Sequence, residues 1–155
     1  MQRTSTAMLI AVGGFIAAVS AILTWRFYGS MSTIPVAISI SLWVMAVMCV
    51  FAGIKVRGRM EDGLIGQDRS QMNPMTIAQL MLVGRAGAWT GAIVGGIYVG
   101  ISSHVIPRVG DLVAASEDLP GALASALGGI ALAAAGLYLE RSCEVPPPQS
   151  GESIS

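Results

Sequence analysis

Few side chains in this sequence are equipped for chemistry, and Arg85 stands out because it is the one charged residue between Met75 and Ile106. An ionised group inside lipid is costly enough to read as functional until its partner is named. The nearest counter-ion is Glu140, at the end of the last apolar stretch. If the two stretches run antiparallel, both charges reach the same end, so Arg85 and Glu140 form the candidate charge pair, structural or part of a transport or ligand site. The plainer alternative is that the long arginine stem carries its guanidinium out to lipid phosphates.

Other chemistry finds little support. His104 is the only histidine, four residues before Arg108. Asp111, Glu117 and Asp118 could add oxygen ligands, but no metal-site spacing links them, so His104 reads as an interfacial histidine. The serines are scattered and no second histidine stands ready as a base, which leaves an acyl-transfer triad unsupported. The glycines from Gly91 to Gly100 lack the lysine and hydroxyl that end a phosphate loop. Cys49 and Cys143, far apart and without metal-ligand company, read as two reduced thiols. The sequence therefore predicts no catalytic, cofactor or metal residues and no enzyme.

The elements that must position these residues are apolar. Of 155 residues 54% are hydrophobic and 12% charged, about half the charge of a soluble domain, so a water-soluble fold is not expected. Nine basic and nine acidic residues cancel, without the basic block that neutralising phosphates requires, so nucleic acid is not an expected partner. The predicted fold is all-α: an integral membrane protein with four transmembrane helices in an antiparallel bundle. The first helix spans 7–25. Its basic head and the small residues Ala18 and Ser20 also fit a cleavable leader, but the apolar run continues to Trp25, and we read it as a retained helix. The second spans 34–54, with Pro35 in its first turn. Residues 55–73 read as a polar loop broken by Gly58, Gly63 and Gly66. The third helix spans 86–106, with a cytoplasmic extension from about 75 that leaves Arg85 at the membrane boundary. Residues 107–120 form a second polar stretch, and the fourth helix spans 119–139. The transmembrane domain covers 1–145, and the Pro146-Pro147-Pro148 tail, 146–155, is expected to be disordered in the cytoplasm.

Orientation follows from the basic residues near the helix ends. With the amino terminus inside, Arg3, Lys55, Arg57, Arg59, Arg69, Arg85 and Arg141 face the cytoplasm against Arg26 and Arg108 outside. Both termini are thus expected to be cytoplasmic, in a plasma-membrane protein.

Helix pairing in lipid depends on close backbone approach, which small side chains permit. Gly87, Gly91 and Gly95 repeat every four residues on the third helix, and Gly96 with Gly100 makes a ridge about 100° round. Gly121, Ser125, Gly129 and Ala133 make a row on the fourth, and Gly13, Ala17 and Ala21 on the first. Tight pairing of the third and fourth helices is expected, with short loops making consecutive helices antiparallel neighbours. The same rows also suit self-association or docking of a membrane partner.

Five short stretches carry a family resemblance: Arg3-Thr4-Ser5, Asn73-Pro74, Gly84-Arg85-Ala86-Gly87-Ala88, the run from Gly95 to Gly100, and the run from Gly136 through Glu140 and Cys143 to Pro147. Together they resemble a family of small actinobacterial four-helix membrane proteins of unknown function, often encoded next to folate-biosynthesis genes. The resemblance implies four membrane helices and no known catalytic residue. The expected role is a non-catalytic accessory or partner-binding component of a membrane assembly, in contact with lipid. A small oligomeric transporter or channel is the alternative, and the sparse polar groups of the spans, mostly Ser20, Ser39, Ser41, Thr90 and Ser125, speak against it.

Overall fold

In lipid the backbone must satisfy its own hydrogen bonds, and an apolar chain without strand partners does so as helices. A computed structural model describes residues 4–27, 36–61, 74–108, 110 and 113–144. They form α1 (Thr6–Phe27), α2 (Val36–Glu61), α3 (Pro74–Val105), a 3-10 turn (Ile106–Arg108) and α4 (Val113–Ser142). All four helices are long and apolar enough to cross a membrane. From Thr6 to Trp25, α1 rises about 28 Å at 1.5 Å per residue, close to one hydrocarbon thickness.

Two helices, α2 and α4, run well past their expected bounds. The polar loop predicted from residue 55 is helical to Glu61. Gly58 costs a helix about 1 kcal/mol, but Val56 is 1% exposed and belongs to the apolar cluster that also holds Ile77, Leu139 and Cys143. The extension before Arg85 is an unbroken part of α3, anchored in the same cluster by Ile77, Leu80 and Met81. α4 begins at Val113 and runs through Pro120. Pro120 is exposed, so the carbonyl it leaves without a donor lies toward the surface, where other donors can reach it. The predicted loop segment 62–73 and the tail 146–155 lie outside the described residues.

The helices are organised around α3 and α4, which make the most extensive pairing; α1 packs on α3 and α2 on α4. Among the described residues α1 and α2 do not touch, which corrects the expectation that consecutive helices are neighbours. On each of three helices one row of buried positions recurs at alternating spacings of three and four. On α2 these are Ser39, Leu42, Ala46, Cys49, Gly53 and Val56. On α3 they run Gly84, Ala88, Gly91, Gly95, Tyr98, Ser102 and Val105. On α4 they run Ala122, Ser125, Gly129, Leu132, Gly136, Leu139 and Cys143. This 3.5-residue repeat keeps one seam facing its partner along the whole helix. α1 is the exception, with only Leu9 and Thr24 buried.

Candidate functional site

The α3–α4 seam brings backbone against backbone. A side chain added at Gly84 would meet Glu140 N at 2.8 Å and Gly136 O at 2.9 Å; at Gly91 it would meet Gly129 O at 2.6 Å and run into Ala133. Gly95 and Gly129 close on each other, and Gly136 closes on Ala88. The antiparallel register is therefore Gly84 with Glu140, Ala88 with Gly136, Gly91 with Ala133, and Gly95 with Gly129. Of the residues singled out from the sequence, Gly91, Gly95 and Gly129 lie in these closest approaches. At Gly87 a Cβ would make ordinary contact with Cys49 Sγ at 3.6 Å. Ser125 is fully buried with an unpartnered hydroxyl, and Gly121 is half-buried.

The neighbouring ridge of α3 receives α1. Gly96 abuts the Gly13 carbonyl, and a Cβ at Gly100 would lie 2.7 Å from Ser20 Cβ and 2.9 Å from Ala21 N. These contacts ascend together along both chains, so α1 and α3 run parallel. One residue along a helix is a 100° turn, so α1 lies on one side of the seam, and α2, whose Cys49 faces Gly87, lies on the other. On α4, Gly128 leaves room for Trp43, whose Nε1–H donates to Ala124 O at 3.2 Å.

The seam ends in the most unusual polar arrangement among the described residues. Glu140 is 2% exposed, and its Oε1 accepts hydrogen bonds from Thr4 N–H at 3.0 Å and Thr4 Oγ1–H at 2.8 Å. Its Oε2 has no partner. A cavity of about 300 Å³ opens beside it, lined by Thr4, Leu137, Glu140, Arg141 and Glu144. The residues just before α1 and the end of α4 thus meet at one side of the molecule, as an even number of crossings requires. A hydrogen bond contributes about 1 kcal/mol net, and the two to Thr4 make this junction the anchor of a first helix that otherwise rests on one neighbour.

The expected Arg85–Glu140 ion pair is not formed: Glu140 bonds to Thr4, and Arg85 is exposed. The reason is helical geometry. Gly84, having no side chain, is what lets α3 touch Glu140, and the next residue is turned 100° off the seam. The register nevertheless sets Arg85 level with Glu140 and Thr4, just outside the start of α1. It stands at the margin of the apolar layer, about 28 Å along α3 from His104. Thr4 escaped the sequence reading because nothing in a lone threonine marks it as a partner for residue 140; the 84, 88, 91, 95 spacing could have revealed Gly84, Ala88 and, by register, Gly136.

His104 is half-buried against Arg108. Cys49 and Cys143 are free thiols buried in one apolar cluster, and burial pushes the Cys143 thiol pKa up because its thiolate would lose hydration. Among the described residues no three His, Cys, Asp or Glu side chains converge as a metal site would require.

Compared with known families, residues 9–147 match the model of one described as a protein of unknown function, DUF3180. No curated protein and no solved structure matches.

Proposed function

The chain belongs to this DUF3180 family of unknown function, and from that premise we propose that it is a non-catalytic component of a membrane assembly, whose first helix offers a docking flank to another membrane protein. The observation that carries this reading is the incompleteness of α1. Two of its 22 residues are buried, it packs on α3 alone among the helices, and Gly14 faces open space with nothing within 4 Å of where a Cβ would be. Between α1, α3 and α4 lies an apolar trough of about 290 Å³, floored by small residues such as Gly13, Ala17, Gly91 and Gly95. Small residues on an uncovered face allow the close approach that stabilises helix pairs in lipid.

The basic residues support an orientation with the Thr4–Glu140 junction on the cytoplasmic side. Transport gains less support, because the buried hydroxyls of Thr24, Ser102 and Ser125 are single groups on three helices.

The test is mild-detergent purification of the full chain after cross-linking in native membranes, comparing wild type with Gly14→Leu. The substitution has room in the monomer and is expected to leave it folded while abolishing a cross-linked assembly. A wild-type chain recovered always alone as a monomer, or an assembly indifferent to Gly14→Leu, would defeat the docking role, and solute flux through the lone chain in proteoliposomes would favour transport.

A further inference from the structure

At the end of the bundle opposite the Thr4–Glu140 junction, α1 and the end of α3 part to leave a cleft of about 530 Å³. Its walls are Ala21, Ile22 and Trp25 on one side and Ser103, His104, Pro107 and Arg108 on the other. We propose that this cleft binds a phosphate oxyanion, with Arg108 as the residue that holds it.

Four observations carry the assignment. Arg108 is half-buried in the cleft, and its one side-chain hydrogen-bond partner among the described residues is His104, whose ring Nδ1 and Nε2 both lie against Nη1. A guanidinium has five N–H donors in a planar fork, so among the described residues most of the donor set that matches two oxygens of a phosphate is left unused, and no carboxylate lines the cleft. The neighbouring hydroxyl does not compete as a donor, because Ser103 Oγ–H is given to Gly100 O at 2.7 Å. Trp25, 72% exposed, sets its indole at the rim, one apolar thickness from Thr6. That depth is where amphipathic rings settle and where phospholipid phosphates lie. The lower wall of Ala21 and Ile22 is apolar, as the glycerol and acyl end of a phospholipid would require, and the volume is ample for a headgroup.

The same phosphate chemistry is available from a phospholipid headgroup or from a free phosphate. Delipidated full-length protein in detergent is incubated with a defined phosphatidylglycerol, with diacylglycerol of the same chains, and with phosphatidylglycerol plus inorganic phosphate; bound species are counted by native mass spectrometry. Wild type is expected to retain one phosphatidylglycerol in preference to diacylglycerol, and Arg108→Gln to lower that retention about tenfold, the loss of one charge-assisted contact. Arg108→Lys, which keeps the charge but not the fork, is expected to fall between them, and Arg141→Gln, which removes a charge at the other end, to behave as wild type. Thermal melting of each variant confirms that it is folded. Displacement of the lipid by inorganic phosphate identifies a free anion as a competent ligand, and resistance to it identifies the lipid headgroup; each agrees with the assignment. Equal retention by wild type and folded Arg108→Gln, or equal retention of diacylglycerol, overturns it.

Discussion

Gly91 and Gly14 are the same residue in two helices of one small membrane protein, and they do opposite things. Gly91 sits where α3 and α4 close until a Cβ would strike the opposing backbone, whereas Gly14 faces open space on α1. The α3–α4 seam is a finished interface with a continuous 3.5-residue repeat; the α1 flank is held by one neighbouring helix and by the hydrogen bonds of Thr4. Small residues in a membrane helix therefore have no fixed meaning, because the approach of a second backbone decides whether the space is structural or vacant.

The sharpest way to break this comparison is Gly91→Leu. Overpacking against backbone that cannot yield is expected to cost about 3 kcal/mol or more, seen as loss of the folded species in a detergent thermal melt; a variant that melts like wild type would mean that the seam is not closed. Glu140→Ala comes next. Removing the acceptor of both Thr4 bonds is expected to cost about 2 kcal/mol and to expose α1 to proteolysis, while Glu140→Gln, which keeps a carbonyl oxygen for Thr4, recovers most of it. Equal protection of α1 in all three proteins would show that the chain ends are not joined through this carboxylate. Trp43→Phe on the α2–α4 contact removes one hydrogen bond to Ala124 and is expected to cost about 1 kcal/mol, measured by reversible unfolding in mixed micelles. Smallest of all is Gly14→Leu, whose monomer melt is expected to match wild type; a loss approaching that of Gly91→Leu would erase the distinction between seam and flank.

Much of the seam was legible in advance. Gly91, Gly95 and Gly129 mark it by type and spacing, because close approach needs small side chains whichever helix supplies the partner. Gly84, Ala88 and Gly136 were harder to find, since they follow the alternating three-and-four repeat rather than a strict four. The proposed pair of Arg85 with Glu140 had the right level and the wrong azimuth. Both residues reach the same end of the bundle, but one position along a helix turns a side chain 100° away, and the neighbouring glycine makes the contact instead. Thr4 carried no signal, because its role depends on α1 and α4 ending at one height.

By itself the sequence determined that the chain crosses a membrane four times as helices, since long apolar runs in lipid must satisfy their backbone internally, and it marked the residues small enough for two helices to meet. Only the tertiary structure decided which helices are neighbours, that α1 and α2 stay apart, and that Glu140 is bonded to Thr4. A helix apolar on every side has no hydropathy contrast between its buried and lipid-facing surfaces. Its azimuth is therefore set by backbone fit between helices, which no single helix specifies.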